Sequence, residues 1–166
     1  MPSPRFGLWG SVLAGFLIAS ASVRAEDVDA IPSEEIELLA RKGMKASAPK
    51  RAYFLIGPRE GAAAPKDGYG LLVVLPGGNG GREFHTFVKA LGADWIAAQP
   101  IAIEWARSQQ LVWPTMKDAV PGEVTGTELL VEDVITDVAK RHRVDPRRVL
   151  LLAWSSGGPA AYAISM

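Results

Sequence analysis

Residues 149–158 leave this chain few folds to choose from. They read Val-Leu-Leu-Leu-Ala-Trp-Ser-Ser-Gly-Gly. Four large aliphatic residues in a row, without polar alternation, suit a strand buried on both faces, as in a parallel sheet. The run then stops at small residues. A strand that turns at once into a helix forces its backbone through a tight bend. The positions two before and two after the central residue must then carry little or no side chain. With Ser155 at the centre, Gly157 meets this condition and Ala153 departs from it by one methyl. Pro159 fits the first turn of the helix that would follow, where its missing N–H is no loss.

A serine held in such a bend has its oxygen at the carboxyl edge of the sheet, the arrangement of a nucleophile elbow. The same letters also fit a plain Ser-Ser-Gly-Gly loop, so the rest of the chain must decide. Most of it alternates strand and helix. Residues 51–57 and 69–75 are expected strands, with a loop over 58–68 and a fully apolar second strand. Residues 83–98 keep a helical period through Phe84, Phe87, Val88, Leu91, Trp95 and Ile96,. A third strand is expected over 101–106, followed by an irregular stretch to Gly126. Thr125-Gly126-Thr127-Glu128 has the spacing of a capping box,. The helix it opens carries Leu130, Val131, Val134, Ile135 and Val138 on one face and ends in the cations 140–143, with Asp145-Pro146 as the turn into the next strand. Earlier, residues 33–42 combine a serine cap, early acids and late cations, followed by Gly43. They are expected to form a short helix with a solvated charged face. The sum is an α/β fold with a mostly parallel sheet and flanking helices.

Composition narrows the partners. Eighteen cations balance eighteen acids in 166 residues, and there is no cysteine. Zero net charge gives no reason to expect nucleic acid or an anionic membrane, and one domain is the upper limit. Residues 1–25 resemble a secretory signal: Arg5, then an apolar stretch, then Val23-Arg24-Ala25 as a cleavage site,. The stretch is shorter than the ~20 residues needed to span a bilayer. The expected organisation is therefore a signal peptide at 1–25 and a domain at 26–166, in a periplasmic or secreted protein without a stable membrane anchor.

A second motif carries chemistry. Pro76-Gly77-Gly78-Asn79-Gly80-Gly81 directly follows an expected buried strand. A dinucleotide fingerprint would need a third glycine where Glu83 stands, and a P-loop would need a Gly-Lys-Ser/Thr ending. The better reading is an oxyanion hole, in which backbone N–H groups stabilise charge on a tetrahedral intermediate. One donor would be Gly78, with Asn79 as second choice. The other would be Ser156, the residue after the nucleophile.

Taken together, the turn after 69–75, the elbow at 153–158 and the preceding Val144-Asp145-Pro146-Arg147-Arg148-Val149 resemble the α/β-hydrolases of the esterase, depolymerase and feruloyl-esterase kind, over about residues 50–166. The histidine that often precedes the glycine loop in those families is Pro76 here. The resemblance implies a serine hydrolase acting on a carboxylic ester, small or polymeric, through an acyl-enzyme, with no cofactor. It also implies an acid and a histidine after the serine, and residues 156–166 contain neither. The expectation is an amino-terminal portion of a hydrolase, inactive alone, with its elbow strand left at an open edge. His85 is expected to be an ordinary helix residue and His142 a helix-end cation. Asp133 and Asp137 are expected to be solvated, and no cluster has metal-ligand spacing. The competing reading is a non-catalytic module binding a sugar or lipid, for which Trp105 and Trp113 could supply stacking surfaces, although a plain core role is the expectation for both.

Overall fold

The computed structural model describes residues 31–77, 90–105 and 110–166. The signal reading at 1–25 lies outside them, as do Gly78, Asn79 and His85. Five strands form one open sheet: β1 (Ser33–Glu37), β2 (Ala52–Ile56), β3 (Tyr69–Leu75), β4 (Trp95–Pro100) and, later in the chain, β7 (Val144–Ala153). Their spatial order is β1-β2-β4-β3-β7. The pairs β1·β2 and β2·β4 are antiparallel, whereas β3·β4 and β3·β7 are parallel. The sheet is therefore mixed, and the expectation of a mostly parallel sheet is corrected. β5 (Ile103–Trp105) and β6 (Gln110–Val112) form a separate antiparallel ribbon. Two described helices, α1 (Thr127–Arg141) and α2 (Gly157–Ser165), complete an α/β arrangement.

β3 is the centre of the core. All seven of its residues are buried. Leu71, Val73 and Leu75 join one cluster with Leu130, Val131, Val134 and Val138 of α1. Leu72 and Val74 join another with Ile56 and Ala97. A strand between two packed faces has no polar side to show, which is why its sequence is unbroken in hydrophobicity. The same rule explains β4. Trp95 and Ile96 extend the helical period of 83–98 in the sequence, but 95–98 are strand. A short apolar run fits a buried strand as well as a helix face, and here the slot between β2 and β3 is filled by it. The expected strand at 101–106 is correspondingly displaced, and only 103–105 pair, in the ribbon.

Three further expectations are corrected. Residues 33–42 do not form a helix. Residues 33–37 are the edge strand β1, with Ile36 alone turned inward. A helix of about ten residues is marginal without tertiary support, whereas β2 offers a complete hydrogen-bonding edge. The capping box does not close either: Gly126 is the N-cap of α1 and no side chain caps it. Glu128 Oε1 instead accepts the Met116 N–H at 2.9 Å, and Thr127 Oγ1 donates to the Pro114 carbonyl at 2.7 Å. Asp145-Pro146 lies inside β7, where the ladder bulges between Tyr69↔Val144 and Leu71↔Val149. The turn chemistry survives locally, because Asp145 Oδ1 accepts the Arg147 N–H at 3.0 Å.

Asp133 and Asp137 are not simply solvated. Arg41 donates to both oxygens of Asp133 at 2.7 Å, and Arg51, only 5% exposed, bonds Oδ2 as well. Asp137 Oδ2 accepts from the Tyr53 hydroxyl and from Arg141 Nε, each at 2.8 Å. These bonds fasten α1 to β2 and the loop that precedes it. Burial pushes the carboxyl of Asp133 up, but the arginine bonds outweigh it and hold the group below the usual carboxylate range. The Tyr53 hydroxyl is pushed up, mainly by burial and then by Asp137.

Candidate active site

β3 and β7 run side by side and end together, with Leu75 opposite Ala153. Each then turns sharply: β3 into Pro76-Gly77, β7 into Trp154-Ser155. The bend after β7 is closed by Gly157 N–H to the Trp154 carbonyl at 3.1 Å and by Gly158 N–H to the Ser155 carbonyl at 2.9 Å. α2 begins at once. Among the described residues, Ser155 is the one non-glycine with a positive φ, at 51°. That left-handed conformation brings Cβ close to the following carbonyl and costs about 1–2 kcal/mol. Such strain persists only where the surroundings dictate it, and it gathers at functional turns.

The surroundings here are close. A Cβ on Gly157 would collide with the backbone carbonyl of Leu75. A Cβ on Gly77 would sit 2.5 Å from Ser155 Cβ and 3.1 Å from its Oγ. The two glycines are therefore required by the approach of two strand ends, one on each side of the serine. Gly157 was legible from the motif. Gly77 was missed as a contact of Ser155, because only the β3·β7 register brings 75–77 against 153–157. Ala153, the expected small residue before the serine, pairs with Leu75 and packs its methyl against the core.

Ser155 and Ser156 are both exposed. Ser156 is the N-cap of α2, with φ −61° and ψ −21° and no side-chain cap. The N–H groups of a helix's first turn have no partner within the helix and carry a partial positive charge. Gly78, the expected first oxyanion donor, lies outside the described residues, but its neighbour Gly77 lies against the serine. The Pro76 carbonyl, at the root of this turn, accepts the Trp113 indole N–H at 3.0 Å. Trp113 is 9% exposed and belongs to the core cluster on the α1 side of the sheet. It therefore offers no face for stacking a ligand and has the core role expected of it. The side chain of Trp105 lies outside the described residues.

A nucleophilic serine needs a base and an acid that orients it. Of the two histidines only His142 is described, and it caps the carboxyl end of α1. It meets Tyr69 edge to face, with ring centroids 6.3 Å apart. Tyr69 begins β3 and Ser155 follows the far end, so the two sites are about 20 Å apart at the rise of an extended strand. His142 is also held below the ordinary histidine range, by burial first and then by Arg141. It is no base for Ser155. Asp133 and Asp137 are engaged by Arg41, Arg51, Tyr53 and Arg141, as described. Among the described residues no group of acids and histidines could hold a metal ion, and no helix is long and apolar enough to cross a membrane. β7 forms an edge of the sheet. Leu150 and Leu151, on opposite faces of it, are 50% and 37% exposed, so the expectation of a strand buried on both faces is corrected for β7, which lies at the rim of the sheet rather than inside it. No protein-family model matches this chain, and no curated protein matches it in sequence.

Proposed function

We propose that this chain carries the nucleophile half of an exported α/β-hydrolase acting on carboxylic esters. Ser155 Oγ attacks the ester carbonyl carbon, and the hydroxyl proton passes to a general base. The tetrahedral intermediate places its negative oxygen between the N–H groups of Gly78 and Ser156. The intermediate then collapses to an acyl-enzyme, with the alcohol leaving and taking a proton. Water, deprotonated by the same base, attacks the acyl carbon, and the acid and free serine are restored. The base and the acid that orients it come from outside the described residues.

The observation that supports this reading is the backbone at Ser155: a positive φ on a non-glycine, at a strand-to-helix bend pressed between Gly77 and Gly157. A plain loop has no reason to hold a serine in that strain. The elbow strand differs from the expected family pattern in lying at a sheet edge rather than in mid-sheet.

The test is covalent. The natural protein, expressed from its own gene, is treated with a fluorophosphonate probe and mapped by mass spectrometry. Labelling at Ser155, lost in Ser155→Ala, is the expected result. An intact fold that takes no label at Ser155 refutes the enzyme reading and leaves a binding module. For export, the expected mature amino terminus is Glu26, and a protein recovered with residues 1–25 attached overturns that part.

A further inference from the structure

We propose that a cleft beside the first turn of α1 binds an aliphatic ammonium ion. The inference makes no use of Ser155 and stands or falls apart from the proposed function. Three segments build the cleft. The first is the turn at residues 43–45, where the Lys45 N–H donates to the Gly122 carbonyl at 2.8 Å. The second is a tight hairpin in which Val120 and Val124 exchange backbone bonds of 3.0 and 2.9 Å around Gly122, at φ 76°. The third is the start of α1. Between them lies a cavity of about 320 Å³, at the small end of ligand pockets. Its wall is largely apolar and includes Met44, Met116, Val120, Val124 and Leu129. Two of these are methionines, unbranched side chains that reshape around a guest.

Beside this wall stand two oxygens without donors. Thr125 lines the cavity, and its Oγ1 is buried with no hydrogen-bond partner. Glu128 Oε2 is buried without one as well, although Oε1 takes the Met116 N–H at 2.9 Å. The carboxylate sits between two lining residues, Met116 and Gly126, and a Cβ on Gly126 would collide with Oε2. Leaving a buried oxygen unpaired is unfavourable, and more so for a charged group. Lys45 borders the hairpin but does not serve, because its Nζ bonds Glu123 Oε1 at 2.9 Å. Both oxygens can accept. An ammonium offers three donors and no acceptor, and its bond to a carboxylate is charge-assisted. The apolar wall adds a second requirement, a hydrocarbon body behind the charged head. At about 30 Å³ for a water-sized group, the cavity admits about ten such groups, enough for a short alkyl chain. Entry requires the Met116 side chain, 52% exposed, to turn aside, which its three rotatable bonds allow.

The experiment adds hexylammonium, hexan-1-ol or hexanoate to the natural protein carrying ¹³C-labelled methionine methyls. Of its four methionines, Met44 and Met116 line the cleft. The expected result is saturable shifts of those two signals with hexylammonium, while Met166, at the end of α2, stays unmoved. Hexanol should bind about tenfold more weakly, the scale of a hydrogen bond to a charged group. Hexanoate should not bind, because it sets like charge beside Glu128. Glu128→Gln keeps the shape and removes the charge, so the preference for hexylammonium over hexanol should fall to about twofold or less. Ala119→Trp, at another lining residue, fills the cleft and should abolish the shifts; it serves where Glu128→Gln does not fold. Hexanol or hexanoate binding as tightly as hexylammonium overturns the inference, as does an unchanged preference in folded Glu128→Gln. Shifts that persist in Ala119→Trp place the ligand elsewhere and overturn it too. A cleft that takes none of the three holds only water, and the inference fails.

Discussion

Ser155 offers a test of the strained bend that does not depend on turnover. Two variants are compared, Ser155→Ala and Ser155→Gly. Both lose the exposed hydroxyl, so their difference isolates the backbone. Alanine keeps the Cβ that makes φ of 51° costly, and glycine removes it. Relief of the left-handed strain favours glycine by about 1–2 kcal/mol. Against this, glycine loses more freedom on folding, which costs about 0.5–1 kcal/mol. The Cβ contact with Gly77 is a further small loss, limited because residue 155 is exposed. The net is a glycine variant more stable than the alanine variant by about 0.5–1 kcal/mol. For a chain of this size that shifts Tm upward by about 2 °C. Urea unfolding gives the same comparison, with the midpoint moving and the slope unchanged. If Ser155→Gly is instead less stable than Ser155→Ala by about 0.5–1 kcal/mol, glycine is behaving as it does in ordinary backbone. Ser155 then has a negative φ and the elbow argument fails.

Three other outcomes follow from the packing. Gly157→Ala drives a methyl into the Leu75 carbonyl and should cost about 2 kcal/mol or more, as overpacking does,. Its neighbour Gly158 has open space at the Cβ position, so Gly158→Ala should be neutral or stabilise α2 by up to about 1 kcal/mol,; equal urea midpoints for the two variants would contradict the structure. Asp133→Asn should destabilise by about 2 kcal/mol, because it leaves the buried Arg51 without its carboxylate,. Asp133 and Asp137 are both held below the usual carboxylate range when folded. Their contribution is therefore complete above about pH 4, the unfolded value, and fades as the pH falls through the folded pKa. An acid limb of the stability curve as steep in Asp133→Asn as in wild type would deny Asp133 that role. Leu150→Lys, on the open edge of β7, should reduce aggregation measured by light scattering while changing stability by less than about 0.5 kcal/mol,. Unchanged scattering would show that this edge is not the sticky surface.

The competition between local and distant forces explains which elements could be read in advance. β3 was visible because residues buried on both faces must be apolar throughout, and β7 because its aliphatic run stops abruptly at small residues, although Leu150 and Leu151 are exposed. The face of α1 was visible because Leu130, Val134 and Val138 recur at the helical period. Residues 33–42 misled for the opposite reason. Their caps and charges favour a helix weakly, and the free edge of β2 offers a full ladder of hydrogen bonds. Trp95-Ile96-Ala97-Ala98 is apolar enough for either structure, and only the space between β2 and β3 decides. Asp133 was misread because Arg41 and Arg51 are 92 and 82 residues away in the chain, and Asp137 because Tyr53 is 84 residues away.

The candidate site divides along the same line. By itself the sequence determined that a strand stops at a serine, that small residues must surround it, and that a glycine-rich turn follows a buried strand. These are local requirements of sterics and burial, written in adjacent letters. Only the tertiary structure decided that the two turns meet. The parallel register sets Leu75 beside Ala153, Gly77 then closes on Ser155, and the Trp113 indole takes the Pro76 carbonyl. It also decided that His142 stands at the wrong end of the sheet, because a helix that returns antiparallel to its strand carries its last residue away from the strand's carboxyl edge.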